Sequence, residues 1–364
     1  MSENGITSTS TRPTQAGTRN VGLDVLRIIS ICGVVGIHVF GVRVGANPKS
    51  GASWWTATAI DIGAIWVVPV FIMISGALLL GSRQLTESPG RFYRRRAARI
   101  VPALVAWNLI YLVGVRIWMR HEHLGTGRIL QMLYDSSVFT QLYFLWIILG
   151  LYAVAPFLGA HLQRGGRPRA LASAGALLGV SVMAYMLPGI LGEYKVPRPV
   201  TLNFMTLWIP YVGYFVAGYA LNSVRLKGAR LALAAAVTAS MVAFTIWHYG
   251  TRGRLHLLDL LVNESYFGLV VALIAVGVFI VGASLGAGWK PGPGLGRALK
   301  ALSDASFGVF LVHLVIFEAI RLQFPAVSTQ HSLRALSLAY VVTLLASFAV
   351  SLAALRIPLL RRIF

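Results

Sequence analysis

One apolar stretch, GLDVLRIISICGVVGIHVF (22–40), contains three ionisable residues, Asp24, Arg27 and His38. In a lipid-facing helix each central charge costs roughly 2.5–3.5 kcal/mol on insertion scales, so charges there mark functional faces or span ends. Arg27 and His38 are eleven residues apart. At 100° per residue that spacing returns both to within about 20° of one helix face, about 16 Å apart along the axis. Asp24, three residues before Arg27, can pair with it on that face. An imidazole, with an ordinary pKa of about 6.5, is suited to take a proton from a hydroxyl. A guanidinium is suited to hold an anion. Plainer readings stand beside these: Arg27 snorkelling to headgroups with Asp24 as its partner, and His38 bonded to a neighbouring helix. Gly33 and Gly36 in the same stretch let another helix approach closely.

A second cationic group, GRFYRRRAAR, in the cytoplasmic loop expected before the third apolar segment, supplies Arg91, Arg94, Arg95, Arg96 and Arg99. Planar guanidinium forks match phosphate oxygens, so this run can hold a phosphate-bearing ligand. It also suits membrane topology and anionic lipid headgroups, and the two roles are compatible. Further along the chain stand His313 and Glu318, five residues apart and hence about 140° apart around a helix, so they do not share a face. His313 is a candidate to line the same cavity as His38 or to pack in the core. Ser75 offers a hydroxyl, or with Gly76 a site of close helix packing. Trp146 and Tyr152 are candidate cavity residues or core aromatics. Asp61 and Glu264 lie near expected span ends, where water or loops satisfy them. No metal site is expected: His121, Glu122 and His123 share one loop without a second ligand cluster, and Cys32 is the single cysteine.

The elements that position these residues follow from composition. Of 364 residues 57% are hydrophobic and 12% charged, against about 25% charged in an ordinary soluble domain. The chain therefore reads as all-α, a polytopic membrane helix bundle of about ten transmembrane helices. A hydrocarbon core of about 30 Å needs about 20 apolar residues per helix. Segments of that kind fall at roughly 22–42, 58–81, 98–118, 141–160, 170–190, 205–222, 229–249, 264–286, 299–321 and 334–356. The net charge of +21 is concentrated between spans, which points to anionic membrane lipids and topology rather than nucleic acid. With the N-terminus inside, 21 of the 32 basic residues fall on the inner side. The positive-inside rule then places both termini in the cytoplasm, in a multi-pass protein of the plasma (inner) membrane. Residues 1–20 read as a flexible cytoplasmic tail and 21–364 as the integral membrane domain. The longest external loop is roughly 119–140.

Taken in order, these segments resemble the membrane acyltransferase type 3 family. The signals are Arg27 and His38 in the first span behind Asp24; VPVFIMISGALLLGSR with Ser75 and Gly76; RRAARIVPAL with Arg96, Arg99 and Pro102; YFLWIILGLYAVAPFL with Trp146, Tyr152 and Pro156; and SFGVFLVHLVIFEAI with His313. The resemblance runs from about residue 20 to 320 and is nearest to stand-alone O-acetyltransferases of bacterial surface glycans. Members often have a His two residues before the fourth-helix Trp, where this chain has Phe144, so an acceptor-binding role for that histidine does not carry over.

The resemblance implies transfer of an acyl group, usually acetyl, from acyl-CoA to a hydroxyl of a carbohydrate or lipid-linked acceptor. In that frame His38 is the general base. Arg27 holds the donor or steadies the oxyanion, and Arg95, Arg96 and Arg99 bind the donor with it. Asp24, Ser75, Trp146, Tyr152 and His313 are the candidate cavity residues. The alternative is a transporter or exporter of a lipid-linked sugar or small metabolite. The sequence shows neither the repeat symmetry nor the paired interrupted helices many transporters carry. It fixes neither the acceptor, the side from which it enters, nor the oligomeric state.

Overall fold

The computed structural model describes residues 21–193, 195, 200–254, 258–259 and 262–364; the expected tail, 1–20, lies outside them. Among the described residues the secondary structure is helical throughout. The helices are α1 (Val21–Gly45), α2 (Gly51–Asp61), α3 (Val67–Leu79), α4 (Arg83–Glu87), α5 (Pro89–Leu109), α6 (Thr126–Tyr134), α7 (Tyr143–Glu193), α8 (Val212–Leu221), α9 (Gly228–Thr251), α10 (Leu269–Leu285), α11 (Pro293–Gln323), α12 (Pro325–Ser328) and α13 (Leu333–Ala354). Lipid offers the backbone no hydrogen-bond partners, so an apolar chain closes its own bonds as helices. The outer surface is apolar, with Leu78, Val105, Leu109, Trp118, Phe157 and Leu345 all more than half exposed. Such a surface calls for lipid, not water, as solvent. The protein is a multi-pass membrane protein.

Seven helical stretches among the described residues are long and apolar enough to cross a bilayer. Two expected spans, 141–160 and 170–190, lie within the single element α7, which is broken at Gly166 (φ 64°, ψ −167°). Gly150 lies against the Trp208 ring with no room for a Cβ, while the Ser181 hydroxyl donates to the Pro210 carbonyl at 3.0 Å. A straight helix would put Gly150 and Ser181 about 46 Å apart, so α7 doubles back at Gly166, where glycine admits the positive φ. The expected spans at 205–222 and 264–286 are shorter as helices, Ile209–Leu221 and Leu269–Leu285. Hydropathy counts side chains and misses the turns at 203–208, which the Asn203 side chain closes by accepting from the Met205 N–H.

The second span is broken rather than continuous: α2, a 3₁₀ turn (Ile62–Ala64) and α3 together form the stretch Gly51–Leu79. Asp61, expected near a span end, instead sits at this internal break, with its carboxylate beside Gly41. Helix α1 packs against α2, α3, α10, α11 and α13. The expected close approach is present: Gly33 meets Val67 and Ala64, and Gly36 meets Ile60. Gly76 and Gly218 do the same for α3 and α8, facing the Phe215 and Met73 carbonyls respectively. At either position a Cβ would overlap backbone.

Candidate active site

Helices α1, α5 with its π-helical continuation Ile110–Met119, and α11 run in one direction and carry the candidate residues Arg27, His38, Arg96, Arg99 and His313. Three levels fix their register. At the first, Arg27 Nη1 donates to Ser303 Oγ at 3.2 Å, and that hydroxyl donates to Asp24 Oδ1 at 2.8 Å. Arg99 lies over the Phe307 ring at 5.9 Å. Midway, the Tyr111 hydroxyl donates to the Leu311 carbonyl at 2.7 Å, and the His38 and His313 rings are adjacent, their centroids 5.3 Å apart. At the far level Arg120 Nε donates to Glu318 Oε1 at 2.7 Å. The expected Asp24–Arg27 coupling is thus made through Ser303. The start of α1 and the end of α13 lie at the same end of the bundle, because Ser351 Oγ donates to the Ala305 carbonyl at 2.8 Å, two residues from Ser303.

Two chambers lie along these helices; His38 lines one of them, and His313, packed in the core, lines neither. The inner one, about 250 Å³, is lined by Arg27, Arg96, Arg99, Ser75, Tyr152 and Ser306 among apolar residues. Arg96 lies over the Tyr152 and Phe92 rings at 5.3 and 5.6 Å. The outer chamber, about 220 Å³, is lined by His38, Arg116, Arg120, Glu318 and Arg321, with Phe139, Leu314 and Phe317. The two are separated by Phe310, whose ring centroid is 5.1 Å from that of Phe144 and 6.2 Å from that of His313. Arg27 and His38 share a helix face as their spacing requires, yet they open onto different chambers.

The basic run is helical, not a loop: it forms the first turns of α5. Helical phase therefore sorts its arginines. Phe92, Ile100 and Ala103 define the buried face, and Arg96 and Arg99 fall beside it and line the inner chamber. Arg95 is exposed and is not among the lining residues. One residue from Arg96, it is turned away by about 100°.

The remaining candidates divide as follows. Ser75 lines the inner chamber, but its hydroxyl donates to the Phe71 carbonyl at 3.0 Å. Tyr152 lines it as well. Trp146 does not: it faces a neighbouring apolar groove, with its ring 5.0 Å from Phe204. Phe144 closes the wall of the inner chamber against Phe71. His313 is fully buried, and its Nδ1 lies 2.8 Å from the Phe310 carbonyl and 3.1 Å from that of Val309. Carbonyls only accept, so Nδ1 carries the proton. Nε2 is then a bare acceptor, without a hydrogen-bond partner among the described residues. Glu264 is not at a solvated end; it holds His248 Nδ1 at 2.7 Å and pairs with Arg252. Among the described residues no group of three or more His, Cys, Asp or Glu side chains is arranged to hold a metal ion.

Sequence reasoning did not single out Ser303, Phe310 or the three outer arginines. Ser303 had a signal. It precedes His313 by ten residues, almost the interval from Arg27 to His38, so two parallel helices would match polar residue to polar residue at two levels.

A family model described as an acyltransferase domain (Acyl_transf_3) matches residues 20–356. The chain belongs to the acyltransferase type 3 family. Comparison with curated proteins returns no match, and comparison with solved structures returns none. The family match covers α1 through α13, so both chambers and the histidine pair lie inside the acyltransferase domain. Membership favours an acyltransferase over the exporter reading of the same buried charges. As an acyltransferase, the protein needs a place for an acyl donor and a place for an acceptor. The bundle has two chambers with different linings.

Proposed function

We propose that the protein is an integral membrane O-acyltransferase that moves an acyl group, acetyl in the first instance, from acyl-CoA to a hydroxyl of a carbohydrate or lipid-linked acceptor of the cell envelope. The observation that carries this reading is the pairing of His38 with a buried histidine between two chambers, one of them lined by three arginines and no acid. Ten crossings, with both termini in the cytoplasm of a plasma (inner) membrane, would put the arginine-rich chamber on the side where acyl-CoA is made. At about 250 Å³ this chamber is smaller than the ~300–1,000 Å³ of a typical small-molecule pocket. The acyl-pantetheine arm enters it, and the nucleotide phosphates stay at its mouth with Arg96, Arg99 and Arg27.

In the transfer step the acceptor hydroxyl gives its proton to His38 and its oxygen attacks the thioester carbonyl carbon. The tetrahedral species collapses, the carbon–sulfur bond breaks, and the CoA thiolate takes the proton back from the imidazolium. The products are the O-acyl ester and CoA. His313, its tautomer fixed by the carbonyls of α11, holds the His38 ring in place. Arg27 serves the donor, because about 16 Å of helix separates it from His38. The thioester reaches His38 through the layer formed by Phe144, Phe310 and His313.

The test is release of CoA from acetyl-CoA by purified protein with candidate glycan acceptors, wild type beside His38→Ala. Loss of a positioned base costs about 10²–10⁴-fold in rate. Acceptor-dependent release that falls by that amount supports the reading. Unchanged turnover in the variant would sink the catalytic role of His38.

A further inference from the structure

We propose that the outer chamber is an oxyanion-binding subsite, so that the acceptor carries a carboxylate or phosphate near the hydroxyl that is acylated. This rests on the reading of His38 as the base that faces the acceptor, because His38 lines this same chamber. The first argument is a charge count. Arg116, Arg120 and Arg321 converge on the chamber, and the acids that meet them are Glu318 and Glu122. Arg120 pairs with Glu318 at 2.7 Å and with Glu122 at 3.6 Å. Arg321 grips Glu318 through Nη2 at 2.8 Å and Nε at 3.1 Å. Arg116 Nε lies 2.9 Å from Glu122 Oε2. Three cations on two anions leave one positive charge over.

That residual charge is only partly open to water: the Arg116, Arg120 and Arg321 side chains are 18%, 26% and 34% exposed. Glu318 is only 3% exposed, and the wall around the cluster includes Phe139, Leu314 and Phe317. A partly buried charge in such surroundings is stable only with a counter-ion and satisfied hydrogen bonds. Each guanidinium has five N–H donors in a planar fork, more than these contacts use, and that fork suits carboxylate and phosphate oxygens alike. Arg120 is also held against the Phe139 ring at 5.0 Å, so the cluster is pre-organised. An anion bound here keeps the rest of its molecule inside the chamber that His38 shares. A neutral sugar would leave the excess charge uncompensated.

The experiment measures binding to the full-length protein in phosphatidylcholine nanodiscs, with three probes: glucuronic acid, glucose 1-phosphate and methyl glucoside. Either charged sugar should bind, the neutral one should not, and affinity should fall as salt rises. Arg321→Gln and, separately, Arg116→Gln should each weaken the charged probe by about 10- to 100-fold, with Arg321→Lys recovering part of the loss. Thermal unfolding of each variant reports whether it remains folded. Which charged sugar binds tighter tells a carboxylated acceptor from a phosphorylated one. Equal binding of all three probes, or unchanged binding in both Gln variants, would overturn the subsite. So would competition against the probe by short-chain phosphatidylglycerol but not by glycerol phosphate, since a lipid would then be the occupant. His38→Ala should lose turnover and still bind the charged probe. If the wild type binds the probe yet never releases CoA with any acceptor, the proposed reaction fails while the anion subsite stands.

Discussion

In the inner chamber Arg96 rests on Phe92 and Tyr152 and Arg99 on Phe307, and none of the lining residues is acidic. In the outer chamber Arg116, Arg120 and Arg321 engage Glu122 and Glu318. The same cation is held in two ways. An aromatic face orients a guanidinium without cancelling its charge, so Arg96 and Arg99 keep theirs, while Arg27 is linked through Ser303 to Asp24. Carboxylates orient and also neutralise, so the outer chamber keeps only a small excess, which on the proposal above selects anionic over neutral ligands. The candidate base, His38, opens onto the outer chamber, and behind it His313 and the Phe144–Phe310 pair close it off from the inner one.

This contrast predicts that binding of donor and chemistry separate by mutation. His38→Ala should lower kcat by about 10²–10⁴-fold while the Kd for acetyl-CoA, measured by calorimetry, stays within about twofold. Arg99→Ala should do the reverse. Loss of one charge-assisted contact, about 1.5–3 kcal/mol, should raise the Kd for acetyl-CoA about 10- to 100-fold with a smaller change in kcat. Arg95→Ala, one residue round the helix from Arg96, should leave both unchanged. Equal losses from Arg95→Ala and Arg99→Ala would mean that the basic run acts as a diffuse field, and the geometric distinction would fall.

Arg95 also shows where sequence reading stops. The run RRRAAR was recognisable as a phosphate-suited cluster from residue type alone, but which arginines face inward depends on helical phase. That phase becomes readable only once Phe92, Ile100 and Ala103 are known to be buried. The helical character and the long apolar stretches were legible because lipid imposes both on composition. The reversal at Gly166 was legible as the break between the expected spans 141–160 and 170–190, whereas the short helices at 209–221 and 269–285 were not, because hydropathy averages over side chains and takes no account of turns. The face shared by Arg27 and His38 was legible from a spacing of eleven. Their division between two chambers was not, since it is set by Phe144 and Phe310, aromatic residues whose role depends on partners distant in sequence.

A milder test of the boundary itself is Phe144→Ala. This side chain closes the inner chamber against Phe71 and Phe310, on the path proposed above for the acyl group. A pocket distinguishes one methylene by about 1–3 kcal/mol. Removing the ring should therefore raise the relative kcat/KM for propionyl- and butyryl-CoA over acetyl-CoA by about tenfold. An unchanged preference would place the acyl selection elsewhere.

The smallest effect is expected at Ser303, and it bears most directly on what Arg27 does. Its hydroxyl accepts from Arg27 at 3.2 Å and donates to Asp24 at 2.8 Å, so it aims the guanidinium and links it to a carboxylate at the chamber's edge. A single hydrogen bond of this sort contributes about 0.5–1.5 kcal/mol net. Ser303→Ala should therefore raise KM for acetyl-CoA about 2- to 10-fold, leave kcat unchanged, and be rescued in part by Ser303→Thr, which keeps the hydroxyl. That pattern belongs to a residue acting through Arg27 on donor binding. A fall in kcat at constant KM would instead put Arg27 beside the oxyanion. The inner chamber would then contain part of the chemistry, and the separation of a donor-holding end from a reacting end would no longer describe the bundle.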